Sequence, residues 1–266
     1  MHTTLTTLID RLERSLSSSL RVIPWGSPVP SFGDLSRSTV ASLGLNPSNR
    51  EFVDELGCEL DGDLRRFHTL RSLELDSWSD IDAYHLRLVM ESCSEYFFRN
   101  PYDRWFRKLD AVISATGTSF YDALFPACHL DLIPFATACK WTDLEPTQRT
   151  RLLRIAGDTL ALLLRHSPVR LLVINGQSVI AHFQQLAGIK LERFDMPEWT
   201  LPRQSGAGVV GVAYRGFVEE LSGIPLGDRV LVLGYNHNLQ SSFGVTNEVI
   251  EAIRRWIGVQ AAEAFD

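Results

Sequence analysis

Cysteine is scarce in this sequence. The 266-residue chain has four, Cys58, Cys93, Cys128 and Cys139, and no two share the CxxC spacing of zinc or iron–sulfur ligands. Their scatter points away from a metal centre and towards reduced core or strand thiols in a cytoplasmic protein. Long apolar runs are also missing. The longest, at 160–164, is far too short to span a membrane. Neither GxxxxGK[ST] nor GxGxxG occurs, so no nucleotide cofactor is expected, and Gly206-Ala207-Gly208 lacks the strand–turn–helix setting of a phosphate loop. No internal repeat or low-complexity linker divides the chain. Asp10 and Glu13 near the start argue against a secretory leader. Basic charge is in deficit, with 26 Lys and Arg against 32 Asp and Glu and a net charge of −6. That balance counts against broad, nonspecific nucleic-acid binding, although a local basic face remains compatible with it.

What is present is a sequence that is 45% hydrophobic, enough to bury one sizeable core. Residues 1–266 read as a single domain. Leu5, Leu8, Ile9, Leu12 and Leu16 mark an amphipathic helix within 1–20. Four strands are predicted at 39–45, 127–133, 171–174 and 229–234, the last two as continuous apolar runs of the kind covered on both sides. Helices are predicted at 81–98, 152–164, 177–186 and 249–259, the first two after the capping signals Ser77-Trp78-Ser79-Asp80 and Thr142-Asp143-Leu144-Glu145-Pro146. The alternation gives an α/β fold: a three-layer sandwich with a central four-stranded, mainly parallel sheet and helices on both faces. Residues 190–214, rich in Trp, Pro and Gly, read as irregular structure or a small hairpin inserted before the last strand.

Parallel sheets bind ligands beyond the C-terminal ends of their strands, and three of the four predicted strands end in polar residues suited to catalysis. The first runs into Gly44-Leu45-Asn46-Pro47-Ser48. An Asn-Pro pair also starts ordinary turns, but here it follows a strand end and the upstream Pro28-Val29-Pro30-Ser31-Phe32-Gly33-Asp34. The second is Cys128-His129-Leu130-Asp131-Leu132-Ile133-Pro134, with Lys140-Trp141 downstream. Asp131 is a site group or a strand-end cap or ion-pair partner. His129 faces the same side of the strand as a site group or a core histidine. The third is Gly234-Tyr235-Asn236-His237-Asn238-Leu239-Gln240-Ser241-Ser242, in which His237 is a site group or a surface-loop histidine.

Together these segments, spanning roughly 24–244, resemble the active-site motifs of the uracil-DNA glycosylase superfamily, most closely its mismatch-specific and single-strand-selective branches. The segment Arg170-Leu171-Leu172-Val173-Ile174-Asn175-Gly176 is similar to the family's third strand, where Gly176 lets the backbone turn closely. The resemblance implies that Asn46 positions the attacking water and that His237 donates to the base O2 as charge develops there. It also implies a loop residue inserted into the duplex; Leu239 is the apolar candidate, with Gln240 and Ser241 as polar ones. Asn238 stands where the family usually has Pro, which puts the rigidity of that loop in question. The base has to leave the stack to reach such a site, and an aromatic floor would then hold it. Phe52 and Phe67 are candidates for that floor, and each also reads as a core residue.

Two departures bear on the substrate. Asp131 stands where the best-known branch has an Asn that reads uracil. An ionised carboxylate only accepts hydrogen bonds, which suits the exocyclic amine of cytosine. Ser48 stands where the uracil-specific branch has a bulky Tyr, leaving room at C5. The implied activity is therefore hydrolysis of the N-glycosidic bond of a flipped-out, 5-modified cytosine, hydroxymethylated or glucosylated, in phage DNA as an antiviral defence. The expected partner is DNA, with no cofactor, metal or membrane, and a monomer is the favoured state. A repair glycosylase for uracil or mismatched thymine is one alternative. A catalytically inactive DNA-binding member is the other.

Overall fold

The computed structural model describes residues 2–14, 18–203 and 208–265. Gly206, Ala207 and Leu16 lie outside the described residues. Helix α1 covers His2–Arg14 and turns Leu5, Leu8, Ile9 and Leu12 inward, the i, i+3, i+4, i+7 stripe of an amphipathic helix. The remaining elements, in chain order, are β1 (Val40–Gly44), α2 (Ala83–Ser94), α3 (Asp103–Ile113), β2 (Ala127–Asp131), α4 (Pro146–Ala156), α5 (Thr159–Leu164), β3 (Leu171–Asn175), α6 (Gln177–Ala187), β4 (Glu192–Leu201), β5 (Val209–Leu221), β6 (Ile224–Tyr235) and α7 (Asn247–Phe265).

The strands form one six-stranded sheet in the order β2-β1-β3-β6-β5-β4. The pairings β1–β2, β1–β3 and β3–β6 are parallel, and these are the strands the apolar runs predict. The sheet does not stop there. Residues 190–214 supply β4 and much of β5, which pair antiparallel with each other and onto β6. The four-stranded expectation is thus corrected to a mixed sheet of six. The segment hides its strand character for a physical reason. β4 is an edge strand that is largely exposed until Trp199, and its register shifts between Met196 and Leu201, around Pro197. Edge positions and bulges are where a strand tolerates proline, and a bulge breaks the alternation that marks a strand in sequence.

Side chains alternate across the sheet into two cores. Ala41, Leu43, Leu130, Leu172 and Ile174 face one way, against α1, α4, α5 and α6. Val40, Ala127, Leu171, Val173 and Leu233 face the other, against α3 and α7. Every residue of β1, β2 and β3 is buried, as expected for strands covered on both faces. Each fully buried Leu or Val contributes about 1.5–3 kcal/mol.

Three helical expectations are also adjusted. Ser77 caps a short 3₁₀ turn, while Asp82 caps α2 itself by accepting from the backbone of Tyr84 and His85. The predicted helix 152–164 is broken at Gly157-Asp158 into α4 and α5. Helix α3 was not anticipated, although Phe106, Leu109, Val112 and Ile113 give it a clear buried stripe. No described helix is long and apolar enough to cross a membrane. Among the described residues, no three His, Cys, Asp or Glu side chains are grouped to share a metal ion.

Candidate functional site

A cavity of about 420 Å³ opens at the C-terminal ends of the parallel strands, the position expected for a ligand in such a sheet. Strand register explains which side chains meet there. Gly44 pairs with Asp131 across β1–β2, and Asn175 ends β3 beside Tyr235 of β6. Gly44, Asp131 and Asn175 all line the cavity, joined by Asn46, Glu51 and His129.

Gly44 is required where it stands. A Cβ at this position would lie 2.4 Å from Asp131 Oδ1 and 2.9 Å from His129 Nε2. The missing side chain lets the carboxylate of Asp131 lie across the end of β1. His129 sits two residues below, its Nδ1 2.7 Å from Ser42 Oγ and its Nε2 3.4 Å from Asp131 Oδ1. Both side chains are almost fully buried. His129 packs edge-on against Phe32, Trp105 and Phe106. It is therefore both a core histidine and a wall of the cavity.

Asn46 is held by its amide nitrogen. Nδ2 donates to the Pro47 carbonyl at 3.0 Å and to Thr137 Oγ1 at 2.9 Å, while Thr137 passes its own hydroxyl proton to the Cys139 carbonyl at 2.7 Å. With the amide nitrogen committed, Oδ1 is the atom of Asn46 that accepts no hydrogen bond among the described residues. Ser48 lies at the rim, exposed, and caps the 3₁₀ turn Asn49–Glu51 by accepting from the backbone N–H of Arg50.

His237 does not join this group. Only 2% of its surface is exposed, and its Nε2 lies 2.8 Å from the Trp199 carbonyl. A carbonyl can only accept, so Nε2 carries the proton and donates it to β4. Burial, more than the nearby Arg203, pulls the His237 pKa down, against the opposing effect of the Trp199 carbonyl, and the ring is held neutral. Its imidazole is no part of the cavity wall, so the expected convergence of Asn46 and His237 is absent. The reason lies in β4: this added strand puts a backbone carbonyl within reach of the imidazole.

The loop after β6 is tied down by hydrogen bonds although it lacks the proline. Asn238 Oδ1 accepts from the backbone of Gln240 and Ser241, both at 3.0 Å, and its own N–H donates to Ser242 Oγ at 2.9 Å. Asn175 ties the loop to β3, accepting from Leu239 N at 3.1 Å and donating to Gln240 Oε1 at 2.7 Å. Gln240 in turn donates to the Trp105 carbonyl at 3.1 Å. Gly176, at φ +101°, would bring a Cβ within 3.1 Å of Asn238 Cβ, so this turn needs glycine. Leu239 is 1% exposed and packs in the core, which corrects its assignment as an inserted side chain. Gln240 spends its amide on the loop's anchorage, and Ser241 alone of the three stays exposed at the rim.

Neither a protein-family model nor a curated protein matches this chain significantly.

The aromatic lining is also redistributed. Phe52 and Phe67 are fully buried in the second core and take no part in the cavity wall, which corrects their assignment as its floor. Phe32, Trp105, Phe106 and Tyr102 line the cavity instead, three of them brought by α3 or the residue preceding it. Trp141 lines it as well, with an Nε1–H that has no partner among the described residues. Sequence reading missed Glu51, which lies in the 3₁₀ turn after Ser48 and is 3% exposed. Its Oε2 accepts from Tyr96 Oη at 2.8 Å and lies 3.9 Å from Arg66 Nε. Burial pushes its carboxyl up to about 7, with the nearby Asp131 charge adding to the rise and Tyr96 and Arg66 opposing it. The only sequence signal was an acidic residue in the first turn after the Asn-Pro motif.

Proposed function

We propose that this cavity receives an extruded nucleobase and that the protein is a DNA glycosylase, hydrolysing the N-glycosidic bond with a 5-substituted cytosine, hydroxymethylated or glucosylated, as favoured base. The observation that carries the reading is the meeting of Asp131, Asn46 and the aromatic wall of Trp105, Phe32 and Phe106 in one strand-end cavity. Small-molecule sites typically combine a few placed polar groups with such apolar and aromatic walls. The Asp131 carboxylate supplies an acceptor for an exocyclic amine. Asn46 Oδ1 supplies an acceptor that orients water. His237 does not fill the role of donor to the base; Trp141, which lines the cavity, has a buried Nε1–H with no partner among the described residues. Ser48 leaves the rim open to a group on C5.

With Leu239 buried, we propose Phe243, 70% exposed just beyond the anchored loop, as the side chain to fill the vacated space on duplex DNA. Arg203 lies 5.6 Å from its ring centroid and donates to its carbonyl. Cleavage of such bases in phage DNA would make the protein an antiviral effector.

The inward-turned His237 favours a second reading, in which the cavity binds a base without cutting. Duplexes and single strands carrying uracil, mismatched thymine, cytosine and 5-modified cytosines distinguish the two when scored for abasic sites. Excision of modified cytosine, with preference moved towards uracil by Asp131→Asn, supports the first reading. Uracil cleavage alone overturns the cytosine assignment. Base-dependent binding with no excision leaves the second reading.

A further inference from the structure

The glycosylase reading, on which this inference rests, leaves a chemical gap. Cytosine departs as a poor anion, and the imidazole expected to offset that charge is bonded to Trp199. Glu51 fills the gap. We propose that Glu51 is the general acid of the site, protonating N3 of the cytosine ring as the glycosidic bond breaks.

The geometry is that of a held acid. One carboxyl oxygen, Oε2, is occupied by the Tyr96 hydroxyl. The other, Oε1, has no hydrogen-bond partner among the described residues, and the residue lines the same cavity as Asp131 and Asn46. The titratable and charged groups around it are Tyr96 beyond α2, Arg66 in the loop before α2 and Asp131 at the end of β2, with His129 in the cavity wall. A carboxyl pushed up to about 7 by burial holds its proton near neutrality, where an acid catalyst is most useful. Asp131 and Glu51 together then present an acceptor and a donor, the complement of the N4 amine and N3 of cytosine. This pair also discriminates against uracil, whose N3 carries a proton and needs an acceptor.

The step balances. The C1′–N1 electron pair leaves with the base, and the Glu51 proton moves to N3, so cytosine departs as a neutral tautomer. A water oriented by Asn46 Oδ1 bonds to C1′ and releases one proton to solvent, and solvent later returns a proton to Glu51. The sum is one water consumed, with an abasic sugar and free base as products.

The test is single-turnover excision across the base panel from about pH 5.5 to about 9, with wild type, Glu51→Gln and Tyr96→Phe. The wild-type rate is expected to fall above about pH 7, following the value to which the carboxyl is carried. Glu51→Gln should lose about 10²–10⁴-fold on cytosine substrates at low pH and flatten the profile. Tyr96→Phe removes a hydrogen bond that stabilises the ionised carboxyl, so its alkaline limb should move to higher pH. A wild-type rate independent of pH, or Glu51→Gln with wild-type rate and profile, overturns the acid role while leaving the glycosylase reading intact. No excision of any base by wild type overturns both. Should melting show Glu51→Gln unfolded, the wild-type profile and the direction of the Tyr96→Phe limb decide.

Discussion

Glu51 has a cost in stability that can be worked out from its surroundings. Its carboxyl moves from an ordinary 4.5 to about 7 because burial disfavours the charge. Below pH 4.5 the folded and unfolded chains both carry the proton, and the group has no effect on the balance. Between 4.5 and 7 the unfolded chain ionises while the folded one stays protonated, so stability falls. Above 7 both are ionised and the penalty is complete, at about 3 kcal/mol. Glu51→Gln removes the titration and keeps the shape. The variant should therefore gain on wild type by about 2–3 kcal/mol between pH 5 and pH 8. Comparing the two proteins at each pH cancels the other carboxylates. The bond from Tyr96 to the ionised carboxylate is already contained in the value of about 7, so its loss adds no further pH dependence to the comparison. Urea unfolding at the two pH values, with slopes checked for equality, measures it. A stability difference that does not change with pH would refute the reasoning, because it would mean the carboxyl is not kept from ionising by the fold. A group retained at such a cost is the kind found where function needs it.

Other substitutions test the rest of the site. Gly44→Ala pushes a methyl into Asp131 and His129; it should destabilise by about 1–3 kcal/mol and lower base binding at least tenfold, as read by melting and titration with base-containing oligonucleotides. His237→Ala should lower the melting temperature through loss of its bond to Trp199 while single-turnover excision stays within a few-fold of wild type; abolished excision in a fully folded variant would return His237 to the chemistry. Asn175→Ala strips the anchors of Leu239 and Gln240, costing about 1–3 kcal/mol and raising amide hydrogen exchange in the loop after β6.

Much of the frame follows from local pattern. The four parallel strands show as short apolar runs, and Asn46 and Asp131 stand out as polar residues at strand ends because that is where a parallel sheet places its ligands. Gly176 and the amphipathic stripe of α1 are equally local signals. The sequence leaves His129 open between core and site; it is buried in the core and also lines the cavity, because its strand is covered on both faces while its ring reaches the cavity.

Other features depend on contacts between segments far apart in the chain. Whether a histidine after a strand faces a cavity or a neighbouring carbonyl depends on what lies beside it, and Trp199 reaches His237 only because β4 and β5 extend the sheet. Glu51 is an unremarkable acidic residue in sequence; burial on folding, with Asp131 adding to it and Tyr96 and Arg66 opposing, is what raises its carboxyl. Leu239, Phe52 and Phe67 are apolar residues whose burial is set by packing, which periodicity in a loop does not encode. Local spacing thus determined the four parallel strands and the polar residues at their ends. Long-range packing decided which of those side chains share a cavity, because direction, burial and charge state belong to the neighbours a side chain acquires on folding.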